Sequence, residues 1–367
     1  MMGEDRLDSG GVWREPTGEA GDVVLSSRVR LARNLAGFNF LSSASRDDRR
    51  QILSIAHTRL SGSRIAPPAA VGQASVAASL RWVSLAQTPE LDRRLLVERR
   101  LISKQHAKGD EPRAVLISEP DERLAIMVNE EDHLRIQVMR SGMDLEDAYT
   151  QIQAVDDRIE AQVEYAFCPR FGYLTACPTN VGTGIRVSAM LHLPALKHIG
   201  EIDKVRRAAK SLNLAVRGYY GEGSEAIGDI YQLSNQTTLG KTERDILTGF
   251  ATDVMPKVIE YERHARRRLL ENRRRVTEDR VHRALGTLGH ARLLNADEAI
   301  KLLSQVRLGV ALGMIAQPDM ATISELMLLT QPAHLQRAIG MDLNQAQRRH
   351  ARATLVRERL ESAPSNE

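Results

Sequence analysis

Residues 114–139, AVLISEPDERLAIMVNEEDHLRIQVM, decide the fold. Ala114 to Ser118 is an apolar run, and Glu119 to Glu122 carries the Pro and Asp of a turn. Leu124 to Val128 returns as a second apolar run, so the pair reads as a β-hairpin. Beyond the polar bend at Asn129–His133, Leu134, Ile136 and Val138 alternate with Arg135, Gln137 and Met139, the period-two pattern of a half-buried strand. Successive strands joined by short bends make an antiparallel arrangement, with polar residues concentrated in the bends.

The same pattern extends outward. Val23 to Leu25 is a short β-branched strand, and if it runs on extended, Arg28 and Arg30 point to one face. Ile185, Val187, Ala189, Leu191 and Leu193 alternate with Arg186, Ser188, Met190 and His192. Tyr173 to Ala176, Leu212 to Val216 and Ile230 to Leu233 are further strand candidates. Asp47–Leu60, Glu90–Ile102 and Ile202–Leu212 have helical spacing. Residues 22–262 therefore read as an α+β domain, an antiparallel or mixed sheet flanked by helices.

After Thr242 no strand pattern occurs. Ile246, Phe250, Val254, Val258 and Tyr261 mark a long amphipathic helix kinked at Pro256. Helices follow over Asp279–Leu288, Ala296–Met314, Ala321–Leu329 and Asn344–Leu360, the last opened by Asn344 with Gln347 three residues on. Residues 263–367 are expected to form an all-α C-terminal domain, and residues 1–21, Gly-rich and acidic, a flexible tail.

Composition sets bounds. A chain of 367 residues allows two or three domains. A formal charge of +4 permits an anionic partner without requiring one. Two cysteines exclude a disulfide framework and suit a reducing compartment. The absence of an apolar membrane span or signal core points to the cytoplasm. The basic run Arg263–Arg275 lies among Glu262, Glu271 and Glu278 and has few aromatics, so it reads as a solvated helix face, and direct nucleic-acid binding is not expected.

Four segments carry the chemistry. Arg28, Arg30, Arg135, Arg186 and Arg217 each adjoin a bend rich in Gly, Ser or Glu. Permanently charged, planar donors suit a triphosphate; any one of them alone reads first as a surface ion-pair residue, and it is the set that points to phosphate. Gly182, Gly184, Gly218, Gly221 and Gly223 allow close backbone approach to phosphate, but neither bend is a P-loop or a dinucleotide fingerprint. Glu131 and Glu222 lie in polar bends and read two ways: turn caps and salt bridges, or paired carboxylates that hold a guanidinium in line and take its proton. Cys177, before Pro178, is a thiol beside cationic groups or a small hydrophobe, and Cys168 reads as a buried hydrophobe. His133 orients a carboxylate or is a spacer. No Cys or His spacing suits a metal, and no metal-ligating residue is assigned.

The motifs Asn129-Glu-Glu-Asp-His-Leu-Arg135 and Cys177-Pro-Thr-Asn-Val-Gly-Thr-Gly184 resemble the two signatures of the phosphagen (guanidino) kinases. Ser26-Ser-Arg-Val-Arg30, Arg186 and Arg217-Gly218 with Gly221-Glu222 follow in the family's order, and the likeness spans roughly residues 22–260. A helical domain behind the catalytic part, rather than before it, resembles the bacterial protein-arginine kinase branch. The resemblance implies ATP and Mg2+, with protein substrates bearing exposed arginines. It implies an ATP site at Ser26, Ser27, Arg28, Val29, Arg30, Arg100, Arg135, Arg186, Val187, Ser188, Ala189, Met190, Arg217, Gly218, Tyr219, Tyr220 and Gly221. Glu131 would be the base, Glu222 would hold the substrate guanidinium with it, and Cys177 would tune it. An McsA-like activator, ClpC–ClpP, a CtsR-type heat-shock repressor and a homodimer are implied in the same way.

Three positions depart from the family. Met127 replaces a frequent Trp, and Arg100 replaces a His. Arg348-Arg-His-Ala-Arg-Ala353 matches a phosphoarginine-reading R-D-x-x-R-A motif with Arg349 in place of its Asp. Arg348 and Arg352 still share one helix face and could clamp a phosphate. Rival readings are a kinase of a free guanidino compound, a non-catalytic phosphoarginine-binding adaptor, and a nucleic-acid regulator built on the basic helices.

Overall fold

The structure, a computed structural model, describes residues 18–61, 65, 79–218 and 226–362. Its strands are β1 (Val24–Arg33), β2 (Ser79–Ser84), β3 (Ala114–Glu119), β4 (Leu124–Val128), β5 (Leu134–Ser141), β6 (Phe167–Cys168), β7 (Gly172–Tyr173), β8 (Ile185–His192), β9 (Leu214–Arg217) and β10 (Ile230–Asn235). Eight form one sheet in the order β2-β3-β4-β5-β1-β8-β10-β9, every neighbouring pair antiparallel. β6 and β7 make a separate small hairpin.

The first helices are α1 (Arg46–Leu60), α2 (Glu90–Glu98), α3 (Leu145–Glu160), α4 (Pro194–His198), α5 (Ile202–Ser211) and α6 (Glu243–Thr248). They continue with α7 (Met255–Asn272), α8 (Arg274–His290), α9 (Ala296–Ala311), α10 (Met320–Leu329), α11 (Pro332–Ile339) and α12 (Gln345–Glu361). No helix among the described residues is long and apolar enough to cross a membrane.

The pleat sorts the sheet into two faces. Val29, Leu31, Ile136, Val138, Val187, Ala189 and Leu233 pack with Ala148, Ile152 and Val155 of α3 in the largest core cluster. A second cluster joins α8, α9, α10 and α12 to Met190 and Ile230 of the sheet. A third packs Leu96, Leu101 and Ile102 on Val115, Ile117, Ala125, Met127 and Met139. Burying Met127 in that third cluster accounts for an apolar side chain at its position.

Several expectations change. The first strand does not stop at Leu25 but runs to Arg33, because both of its neighbours pair with it along its length. α2 ends at Glu98 rather than Ile102, since Arg100 turns to a φ of +62°. The disruption near Pro256 lies before it. Gly249–Val254 forms a π-helical turn in which Met255 N–H reaches Phe250 O, and Pro256 then sits in the first turn of α7, where its missing N–H costs nothing. β2, α3 and α11 were not anticipated, and the strand expected over Tyr173–Ala176 shrinks to the short β7. α7 carries residues 262 and 263 within one unbroken helix, and buried Glu262 accepts the N–H groups of Ala195 and Leu196 that open α4. Asn344 and Gln347 form the reciprocal cap expected at the start of α12.

Candidate active site

The face of the sheet opposite the large core is lined with arginines. Across β1 and β8, Arg30 stands directly opposite Arg186 and Arg28 opposite Ser188. Across β1 and β5, Ala32 stands opposite Arg135 and Arg30 opposite Gln137. Arg217 of β9 pairs with Gln232, which pairs in turn with Met190. Directly opposed residues share a face, so Arg28, Arg30, Arg135, Arg186 and Arg217 are brought together. Arg100 joins them: its carbonyl accepts Gln137 Nε2 at 2.7 Å, and its charge acts on Arg28.

Like charges in one buried patch repel. Burial, then Arg135, Arg100, Arg186 and Arg217, pull the Arg28 pKa down to about 9. Burial with Arg135, Arg28 and Arg186 lowers Arg30 well below its ordinary value, and Arg186 moves the same way through burial and Arg217. Arg28 donates Nε to Ser188 Oγ at 3.4 Å, and Arg186 donates Nη2 to Asn180 Oδ1 at 3.3 Å. Arg186 Nη1 is buried with no hydrogen-bond partner. Among the described residues, Arg28, Arg30 and Arg186 form no ion pair. Such a patch is completed by a multiply charged anion.

Other expected nucleotide-side residues divide by pleat. Ser26, Ser188 and Met190 lie on the arginine face and are nearly buried. Val29, Val187 and Ala189 point into the core, and the Val187 N–H donates to Asn235 Oδ1 at 2.8 Å, so their side chains do not reach a ligand on the arginine face. Ser27 also faces the core side, where its Oγ accepts the Asp144 N–H at 3.0 Å ahead of α3. Gly218 continues from β9 and is buried. Tyr219, Tyr220, Gly221, Glu222 and Gly223 lie outside the described residues.

The loop between β4 and β5 carries three carboxylates with separate roles. Asn129 takes a φ of +61°, closes the loop by donating its N–H to His133 O at 2.9 Å, and donates Nδ2 to the carbonyls of Arg49 and Pro112. Glu130 accepts Arg135 Nη1 at 2.7 Å and Ser103 Oγ at 2.5 Å. Burial raises its carboxyl, but Arg135 and the two hydrogen bonds outweigh burial and hold it at about 2. Glu131 is exposed, and its pKa is raised by partial desolvation and by Asp132 and Glu130, against Arg135 and Arg30. Asp132 is buried, which raises its pKa, while it accepts Asn34 Nδ2 and Ala176 N–H, each at 2.7 Å. His133 orients no carboxylate. Its Nδ1 accepts the Leu35 N–H at 3.0 Å, so Nε2 carries the proton and donates to Asn39 O at 2.9 Å.

Cys177 is partly exposed at the head of a turn, with Sγ 3.1 Å from Thr179 Oγ1. Arg33 anchors the far end of this loop: Nη1 donates to Thr183 O at 2.8 Å, and its guanidinium is paired with buried Asp156. Gly182 is essential to the packing, since a Cβ there would fall 2.8 Å from Thr238 O at a φ of +112°. Cys168 on β6 is partly exposed rather than buried, next to exposed Phe167. Asn34, Arg33, Asp132 and Ser103 were missed as site residues. Only Asp132 carried a signal, its place inside the acidic motif.

In the C-terminal region, Arg348 and Arg352 share a face of α12, but they do not form an open clamp. Arg352 is 3% exposed and donates Nε to Thr330 O at 2.7 Å and Nη1 to Leu294 O at 2.9 Å. Arg348 donates Nη1 to Leu343 O at 2.6 Å. The Arg352 bonds tie α12 to the end of α10 and the start of α9, whereas the Arg348 bond closes on the residue before the cap of α12 itself.

The family model described as ATP:guanido phosphotransferase, C-terminal catalytic domain, matches residues 69–265. The model described as protein-arginine kinase McsB C-terminal domain matches residues 274–367. The chain is 47% identical over 348 residues to the protein-arginine kinase of Symbiobacterium thermophilum, covering 95% of this chain and 96% of that protein. It is 42% identical over 348 residues to that of Halothermothrix orenii, with coverage of 95% and 96%. Among solved structures it is similar to the duplicated taurocyamine kinase from Schistosoma mansoni with bound transition-state-analogue components, with TM-score 0.57 and 27% identity over 66% of this chain. It spans 33% of that duplicated chain. Lombricine kinase matches with TM-score 0.54 and 25% identity, covering 70% of each chain.

Proposed function

Because the chain belongs to the ATP:guanido phosphotransferases, in their protein-arginine kinase branch, we propose that it transfers the γ-phosphoryl group of ATP to the guanidinium of arginine residues in proteins. The observation that carries the reading is the facing of Arg30 and Arg186 on a buried arginine face that ends at the Glu131 loop.

The arginines bind and align the triphosphate and meet charge that spreads over the transferring group. Arg135 sits at the junction. It holds Glu130 and acts electrostatically on Glu131, Arg28 and Arg30. Glu131 accepts the guanidinium proton as the N–P bond forms and the bond to the ADP oxygen breaks. A substrate guanidinium is a poor nucleophile until that proton leaves. Partial desolvation, with like-charged Asp132 and Glu130, makes Glu131 a stronger base than an isolated glutamate. Cys177 lies on the substrate side, where a thiolate would orient the cationic guanidinium. Glu222 would hold it from the other side.

The donor set fits magnesium carried in by the nucleotide. Among the described residues no cluster of three carboxylate, His or Cys side chains could cage an ion, and magnesium bound to ATP keeps phosphate oxygens and water as ligands. Exposed Glu131 is the carboxylate beside the arginine face that would meet its water ligands. When bound, the ion supplies charge neutralisation at the phosphates.

The branch to which the chain belongs further supports a cytoplasmic role in protein quality control. Phosphoarginine would mark clients for ClpC–ClpP and disable a CtsR-type repressor, with an McsA-like activator and a homodimeric enzyme. The deciding experiment incubates the protein with ATP, Mg2+ and an arginine-rich protein, with free L-arginine in parallel. The expected result is an acid-labile mass gain of one phosphate per site on protein, lost in Glu131→Ala. Conversion of free arginine alone, or a Glu131→Ala rate within tenfold of wild type, overturns the reading.

A further inference from the structure

Helix α11 of the C-terminal region is seated on the last turn of α2, one residue from the arginine face. Glu98, the final residue of α2, accepts the backbone N–H of Ala333 at 2.8 Å and of His334 at 3.0 Å, and lies 2.7 Å from His334 Nδ1. Arg99 donates Nε to His334 Nε2 at 3.1 Å and Nη1 to Glu122 at 2.9 Å. A guanidinium only donates, so Nε2 accepts and the ring proton sits on Nδ1, shared with Glu98. His334 is 3% exposed, and burial lowers its pKa in keeping with a neutral ring. Arg337 pairs with Asp92 on the same two helices.

Arg100 comes next in the chain. Its φ of +62° is held by an N–H bond to Val97 O at 2.9 Å and by Gln137 on its carbonyl. A residue with a Cβ stays in that conformation only where its surroundings enforce it. Gln137 stands opposite Arg30, and the charge of Arg100 bears on Arg28. Three consecutive residues thus join two regions: Glu98 and Arg99 grip α11, and Arg100 enters the arginine face.

We propose that Glu98 and His334 are positioning residues for triphosphate binding: α11, held on Glu98, locks the end of α2 so that Arg100 turns onto the arginine face. The C-terminal helices thereby set the affinity of the catalytic region for ATP. The inference rests on the reading of that face as the ATP site. The seat is polar and buried, so a shifted α11 strands the Glu98 carboxylate and the His334 ring instead of sliding over them.

The test uses the full chain and its Glu98→Ala, Arg100→Ala, His334→Gln and Glu98→Ala/Arg100→Ala variants. Mg-ATP binding is read by calorimetric titration without protein substrate, beside thermal melting. Glu98→Ala and Arg100→Ala are each expected to weaken ATP about tenfold, within the ordinary range of site coupling. The double variant should be no weaker than Arg100→Ala, because both changes act through one side chain. His334→Gln, which can still donate to Glu98 and accept from Arg99, should stay within about threefold of wild type. Transfer at saturating ATP in Glu98→Ala should also stay within about threefold. Unchanged ATP affinity in a folded Glu98→Ala variant, or additive losses in the double variant, overturns the proposal. Should Glu98→Ala not fold, His334→Ala, which keeps the backbone bonds to Glu98, carries the same comparison. A wild type that binds ATP but phosphorylates no protein refutes the proposed activity and leaves this inference to be decided by the affinities. A wild type that binds no ATP refutes both.

Discussion

Asp132 Oδ1 accepts the backbone N–H of Ala176 at 2.7 Å. One carboxylate therefore links the loop presenting Glu131 to the residue before Cys177. Asn34, at the end of β1, extends the link: its Nδ2 donates to the same Asp132 oxygen and to Leu174 O, and its Oδ1 accepts the His133 N–H at 2.9 Å. Glu131 adjoins Asp132 and Cys177 adjoins its hydrogen-bond partner Ala176, so the separation of the two side chains is set by a network rather than by direct contact.

Asp132→Ala removes that link and leaves the arginine face in place. We expect kcat to fall on the order of 100-fold, as misplacement of about an ångström commonly causes, with ATP affinity within about threefold of wild type. Asp132→Asn keeps an acceptor and should retain more activity. It also removes a like charge that raises the Glu131 pKa, so the acid limb of the kcat profile should move to lower pH. An unmoved limb with undiminished kcat would contradict the assignment of Glu131 as base.

Arg30 faces Arg186, and its folded pKa lies well below the unfolded value. The folded state disfavours its charged form, so at neutral pH the charge lowers stability. Arg30→Met should raise the ATP-free stability by about 1 kcal/mol while weakening ATP at least about tenfold. Melting with and without Mg-ATP measures both. A destabilised variant with normal ATP response would reverse the interpretation of this pair.

The strand carrying Arg186 was legible because period-two alternation is local, and so was the cap at Asn344, whereas the strand carrying Arg28 and Arg30 was legible only as far as Leu25. The facing of Arg30 and Arg186 was not, since register joins residues 156 positions apart only after the sheet forms. The same limit hid Asn34 and Asp132, whose side chains are ordinary polar residues until their partners arrive. The resemblance grouped Val187 and Ala189 with the nucleotide side, whereas the pleat sends their side chains to the other face. Helix α11 depends on Glu98, a cap 235 residues away from Ala333, for its first turn. Its own sequence supplies only Pro332 as a start signal.

Glu130 makes the loop acid-sensitive. Its folded pKa of about 2 lies below the ordinary 4.5, so its contribution is fully present above pH 4.5 and is lost as pH falls toward 2. With a side chain 5% exposed, the shift corresponds to roughly 3 kcal/mol as an upper figure. Glu131 and Asp132 have raised values and act in the opposite sense. Glu130→Gln should therefore lower stability at pH 7 by roughly 2–3 kcal/mol and flatten the fall between pH 4.5 and 2. Denaturant titrations at several pH values would show it, and an unchanged acid limb would mean that Arg135 finds equal compensation elsewhere.

Gly228 lies where the sheet meets α9 closely. It precedes β10 with a φ of +64°, and an added Cβ would lie 2.7 Å from Ile300 Cγ2 and 3.0 Å from Ile300 O on α9. Lys197 pairs with the adjacent Asp229, and Gln305 of α9 donates to the same carboxylate at 3.3 Å, so the turn cannot shift without breaking polar contacts. Gly228→Ala therefore adds left-handed strain of about 1–2 kcal/mol to overpacking of about 1–3 kcal/mol. Ile300→Leu moves the branch off Cβ and should recover part of the second cost but none of the first. Urea denaturation should show a lower midpoint for Gly228→Ala with an unchanged slope, partly restored in the double variant. If Gly228→Ala stays within about 0.5 kcal/mol of wild type, the range of an ordinary surface change, α9 is not seated on this turn in solution.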